Sequence, residues 1–201
     1  MANMKAMDQY CELFERFGAQ GWWPVHKGKR RPGFDPVFEI MVGTILTQNT
    51  SWKNVEKAIE NLHCEQVLDV PSMIQVHHAK LKSLIKPAGY YNQKAKKLKI
   101  LAKHISDHYN SDSKQVAESA SRGELLNIWG IGPETADSIL LYAGNRPEFV
   151  IDTYTRRLCK THGIEFKTYD EYKHHFESQL KPDYKLFNQY HALIVAWGKN
   201  Q

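Results

Sequence analysis

Along this 201-residue chain, apolar positions recur every three or four residues much more often than every second one. That spacing is the mark of helices that bury one face, and strict alternation never runs long enough to suggest a sheet. The pattern predicts helices over 4–17, 36–46, 51–61, 72–77, 79–85, 92–109, 114–120, 122–128, 133–143, 152–161, 169–180 and 184–197. An all-α fold is therefore expected. A stretch rich in Gly, Pro and basic residues separates the first helix from the rest between Gly18 and Pro36, and a second break falls at Gly144-Asn145-Arg146-Pro147. The chain has no internal repeat and no low-complexity segment.

Composition narrows the class. A chain of this length can bury a stable core without staples, as one domain or two small lobes. The net charge of +5 and pI near 9.0 favour polyanionic partners, although a solvated basic surface gives the same totals. Clustering sharpens the point: Lys27, Lys29, Arg30 and Arg31 share one loop, and Lys94, Lys96, Lys97, Lys99 and Lys103 share one predicted helix. Cys11, Cys64 and Cys159 are far apart and odd in number, which argues for reduced thiols in a cytoplasmic setting, and none has metal-ligand spacing. No apolar run has membrane length, and no signal-peptide architecture opens the chain, so no membrane partner is expected.

The densest chemistry lies between Leu125 and Arg157. Gly130-Ile131-Gly132-Pro133 reads as a tight hairpin between two helices, with glycine supplying positive φ and exposed N–H groups suited to a phosphate. Pro133 and Glu134 both favour helix initiation there, and Ala136, Ile139, Leu140 and Ala143 continue at helical spacing. Asp152 follows in Val150-Ile151-Asp152-Thr153. It suits either a helix N-cap or an acid near the phosphate clamp, and the two roles are compatible.

Leu126-x-x-x-Gly130-Ile131-Gly132-x-x-Thr135-Ala136, followed by Val150-x-Asp152-Thr153, resembles the helix-hairpin-helix DNA glycosylases of the endonuclease III type. Ile45 to Thr50 and Gly89 to Ala95 resemble further segments of that family in the same order, so the likeness spans nearly the whole chain. It implies two helical lobes, one over 30–145 and a second from 1–29 with 146–201, with an active-site cleft between them. The implied partner is double-stranded DNA containing a damaged base, bound by a monomer. The implied catalytic residue is Asp152, stabilising the positive charge that builds on deoxyribose as the base departs or activating water. Gly130, Gly132 and Thr135 would grip DNA at the hairpin, with a monovalent cation as a candidate there, and Lys94 and Lys97 would meet phosphates. Many relatives hold an iron–sulfur cluster on four cysteines beyond the segment resembling 194–199; Cys11, Cys64 and Cys159 supply no such set, which fits either a cluster-less member, with no cofactor required, or a cluster-bearing tail lost after Gln201.

Family positions also imply how a base is extracted. Gln48 resembles the side chain that fills the vacated gap, and Tyr90 the wedge beside the orphaned base; a helix C-cap and a core-packed loop aromatic are their blander readings. Trp22-Trp23-Pro24, Thr47 to Thr50 with Trp52, and Gly89 to Lys96 resemble the 3-methyladenine DNA glycosylase III branch. There the base lies between the Trp-Pro element and the aromatic after Thr-Gln-Asn-Thr, and an alkylated, cationic purine gains about 0.5 to 2 kcal/mol from such rings. Packing between lobes is the alternative for Trp22. Glu134 stands where strand-cutting relatives have a lysine, whose amine forms a Schiff base; glutamate cannot, so a monofunctional enzyme is expected, with Glu134 beside the base pocket. Leu193 replaces the branch's C-terminal pocket lysine, and His191 reads as a satisfied core histidine. The best-fitting lesion is N3-alkylated adenine. Removal of mismatched thymine or uracil, and non-catalytic DNA binding, are the competing readings.

Overall fold

A computed structural model describes residues 5–24 and 34–201. The basic loop residues Lys27, Lys29, Arg30 and Arg31 lie outside the described residues. Among those described, helices account for all regular structure. In chain order they are α1 (Ala6–Phe17), α2 (Pro36–Leu46), α3 (Trp52–Cys64), α4 (Val70–Gln75), α5 (His78–Leu84), a short 3-10 turn (Lys86–Ala88), α6 (Tyr91–Tyr109), α7 (Ser113–Ser119), α8 (Arg122–Asn127), α9 (Pro133–Ser138), a π turn (Ile139–Ala143), α10 (Thr153–Thr161), α11 (Tyr169–Glu177) and α12 (Tyr184–Lys199). The all-α expectation holds. The predicted helix 133–143 is in fact α9 followed by the wider π turn, a local change of register that apolar spacing does not encode.

The chain divides into two compact units, Met1–Pro24 with Leu140–Gln201, and Val25–Ile139. In the second, α2 is the central element, buried at every position from Phe38 to Leu46, and α3, α6, α7 and α9 pack against it. A helix apolar all round belongs inside a core. It begins at Asp35, whose Oδ1 accepts from the N–H groups of Val37 (2.9 Å) and Phe38 (3.0 Å), with Pro36 preset for the first turn. In the first unit α12 packs on α1 and α10. Its core is aromatic: Phe149 stacks on Phe176 at 4.3 Å, and Phe187 and Tyr190 meet them edge-on.

Candidate active site

Asp152 is placed by a stretch of buried, non-helical backbone. Phe149, Val150 and Ile151 are all buried. The Phe149 N–H donates to Glu177 Oε1 (2.8 Å), and the Ile151 N–H to the Tyr169 hydroxyl (3.1 Å). Lys173 bridges Glu148 and Glu177 at 2.5 and 2.6 Å, which ties this stretch to α11. At its end Asp152 caps α10: Oδ1 accepts from the Thr155 N–H (2.7 Å) and hydroxyl (2.9 Å). The cap leaves Oδ2 turned towards His191, whose Nε2 lies 3.6 Å away. The Asp152 side chain keeps only 15% of its surface exposed. Burial by itself would raise its carboxyl pKa, but His191 and the Thr155 donors outweigh burial and hold it below the ordinary carboxylate value.

Tyr142, which the pattern did not single out, and His191, expected as a core histidine, complete this group. The Tyr142 hydroxyl is hydrogen-bonded to His191 Nδ1. Burial, with the Asp152 charge adding to it, pushes the Tyr142 phenol well above its usual value, so it stays protonated. The Trp23 ring lies 5.1 Å from Tyr142, and Trp22 meets Trp23 edge-on at 5.4 Å across a cis peptide bond. Lys199 Nζ sits 5.8 Å over the Trp22 ring. A continuous path of side chains thus runs from Trp22 through Trp23, Tyr142 and His191 to Asp152, with Pro24 next in the chain. Trp22, Trp23 and Pro24 are each half-buried. His191 is buried but is not a satisfied core histidine, because its Nε2 has no hydrogen-bond partner. Tyr142 carried no sequence signal beyond one aromatic inside an apolar helix.

The hairpin gathers a second group in the other unit. Gly130 has φ +90°, and a Cβ there would lie 2.5 Å from Lys97 Cγ, so both backbone and space require glycine. Gly132 departs from expectation: its φ of −96° is extended backbone at the N-cap of α9, so the hairpin needs only one positive φ. Gln48 Nε2 donates to the Thr135 hydroxyl (2.9 Å) and the Gly130 carbonyl (3.4 Å), while Gln48 Oε1 accepts from Lys97 Nζ (2.5 Å). Gln48, Gly130, Thr135 and Lys97 therefore form one network. Arg122 forks onto the fully buried Asp137 (2.7 and 3.2 Å) and clamps α8 to α9. Trp129, 47% exposed at the hairpin, carries Lys96 Nζ 4.3 Å over its ring; sequence reading passed over it.

Lys94 requires correction as a phosphate ligand. It is buried, and its ammonium donates to the Leu46 carbonyl (2.9 Å) and the Ala88 carbonyl (2.8 Å), joining the end of α2 to the 3-10 turn. Desolvation, with Lys97 nearby, lowers its pKa to about 8. Tyr90, by contrast, is 70% exposed in left-handed backbone, so it does not pack in the core. Trp52 opens α3 half-buried, its indole N–H on Glu56 Oε1 (2.8 Å), and Glu134 is exposed in the first turn of α9. Both belong to the 25–139 unit. Cys11 and Cys64 are exposed and Cys159 is buried, and among the described residues no three His, Cys, Asp or Glu side chains gather as a metal site.

Residues 42–182 match the model of the HhH-GPD superfamily base excision DNA repair proteins. The chain belongs to that superfamily. Among relatives, a Methanocaldococcus jannaschii protein named "Putative DNA repair glycosylase MJ1434" is 45% identical over 94% of this chain and 85% of its own length. Endonuclease III of Thermotoga maritima is 28% identical over 82% of this chain and 74% of the relative. The crystal structure of Helicobacter pylori 3-methyladenine DNA glycosylase (MagIII) bound to 1,N6-ethenoadenine superposes with a TM-score of 0.82 at 28% identity, covering 98% of each chain. A trapped endonuclease III–DNA covalent intermediate matches at TM-score 0.80 and 20% identity over 100% of this chain and 88% of that one, a likeness of fold. These findings place the chain among the base excision repair DNA glycosylases, with DNA as substrate.

Proposed function

We propose that this protein is a monofunctional DNA glycosylase that hydrolyses the N-glycosidic bond of an alkylated base, with N3-alkylated adenine the best-fitting lesion. The observation that carries the reading is the ionised, largely buried Asp152 carboxylate in one connected group with Trp22 and Trp23. As the base departs, the sugar carbon gains positive charge, and a fixed carboxylate in a site of low dielectric stabilises it. The same group can orient the water that completes hydrolysis. Trp23 and Trp22 offer ring faces that attract a cationic purine. The likeness to a 3-methyladenine glycosylase of similar size supports the choice of lesion. Glu134 after the hairpin supplies no amine for a Schiff base, and Lys160 is engaged with Glu165 on the surface (3.4 Å).

The test is release of methylated purines from duplex DNA treated with a methylating agent, beside duplexes carrying G·T and G·U mismatches. Release of 3-methyladenine with no trapped adduct on borohydride treatment is expected. Preferential release of thymine or uracil would move the assignment to mismatch repair, and a strong covalent adduct would overturn the monofunctional reading. Asp152→Asn should lower the release rate roughly 10²- to 10³-fold. Asparagine caps a helix as well as aspartate does, so the melting temperature should hardly move. Unchanged release by this variant would remove Asp152 from the chemistry, and no release by wild type from any duplex would favour a DNA-binding protein without chemistry.

A further inference from the structure

His191 is a buried imidazole with one nitrogen bonded and the other bare. Its Nδ1 is hydrogen-bonded to the Tyr142 hydroxyl. That hydroxyl, kept protonated by burial, can donate to Nδ1 or accept from it, and the form of the ring follows from which it does. With Nδ1 accepting, a neutral ring carries its proton on Nε2. Nε2 faces Asp152 Oδ2 at 3.6 Å, too far for a hydrogen bond and close enough that a shift of a few tenths of an ångström makes one. A buried donor left unbonded is unfavourable, which favours that shift. The groups facing Asp152 are His191 from α12, Tyr142 from the π turn and Thr155 from its own helix. Arg156 and Arg157 of α10 lie over the rings of Tyr172 (4.7 Å) and Tyr154 (5.6 Å).

We propose that His191, oriented by the Tyr142 hydroxyl, is a positioning residue that keeps the Asp152 carboxylate charged and aimed for base release. The inference rests on the glycosylase reading above. Thr155 holds Oδ1 as part of the helix cap, which any capping aspartate would show; His191 addresses the other oxygen. Tyr142 fixes the ring and also meets the Trp23 ring, tilted by 51° at 5.1 Å.

The sign of the pH effect follows from the charges. Removing the imidazole leaves burial opposed only by Thr155, so Asp152 must protonate at higher pH. Base release needs the ionised form, and its acid limb should move upward. The experiment compares wild type with His191→Phe, His191→Gln and Tyr142→Phe in single-turnover release of methylated purines across pH, with a carboxyl-carbon NMR titration of Asp152 in parallel. His191→Phe should slow release by roughly 10- to 100-fold and shift both the acid limb and the carboxyl titration to higher pH. His191→Gln, which can still donate an N–H, should recover part of the loss, and Tyr142→Phe should move the limb in the same direction by less. Binding to abasic duplex and the melting temperature report folding, and if His191→Phe fails to fold, the other two variants carry the same readouts. A limb and titration that stay in place overturn the proposal even if the rate falls. No base release by wild type from any duplex would sink the glycosylase reading instead, and the Asp152 titration would still decide whether His191 governs the carboxylate.

Discussion

One turn of α6 separates Lys94 from Lys97, and their surroundings give them different tasks. Lys94 supplies protons to carbonyls at the end of α2 and in the 3-10 turn, whereas Lys97 lays its stem on Gly130 and its ammonium on Gln48. Lys94→Met should leave two buried acceptors bare at about 1 to 3 kcal/mol each and lower the melting temperature. It should not change the salt dependence of duplex binding, and a shallower salt slope would return Lys94 to the phosphate-binding set. Its depressed pKa also gives a pH signature. Between about 8 and 10.5 the unfolded chain holds a proton on Lys94 that the folded chain has given up. Stability therefore gains a rising component with pH across that window, which the methionine variant should lack when unfolding is measured in denaturant. The sequence displayed a run of lysines and nothing to tell the two apart, because periodicity says which face a residue occupies and not whether a carbonyl waits there.

The hairpin element depends on one residue more than on its pattern. Gly130→Ala would force a side chain into left-handed backbone, about 1 to 2 kcal/mol by itself, and drive its Cβ into the Lys97 stem. The Lys97–Gln48 contact should break with it. Weaker binding to undamaged duplex together with a lower melting temperature is expected, measured by fluorescence anisotropy and thermal unfolding. Equal affinity and stability would show that the turn tolerates a Cβ. Gly130 was legible because glycine flanked by helical spacing marks a turn. The Arg122–Asp137 clamp behind it was not: the two residues are fifteen positions apart in the chain, and only the packing of α8 on α9 brings them into contact.

Across the whole molecule, the net charge of +5 predicts that duplex affinity falls with salt, by a log–log slope of about −0.9 for each phosphate neutralised. Lys96→Ala, beside Trp129, should lower that slope by about one unit; binding that ignores salt would contradict an electrostatic interface. The chain's apolar period determined an all-helical molecule, its glycines determined the hairpin, and the hairpin motif through Thr135-Ala136 together with Val150-x-Asp152-Thr153 pointed to the superfamily, since each of these is written locally. Tertiary structure alone decided the partners: that His191 and Tyr142 stand with Asp152, that the Trp23 ring leans on Tyr142, and that Lys94 is sealed inside. Those contacts join α12, the π turn, the start of α10 and the segment before α2, or the end of α2 and α6. Side chains that meet across dozens of residues leave no periodic trace, because the distance between them is set by how helices pack and not by how far apart they lie along the chain.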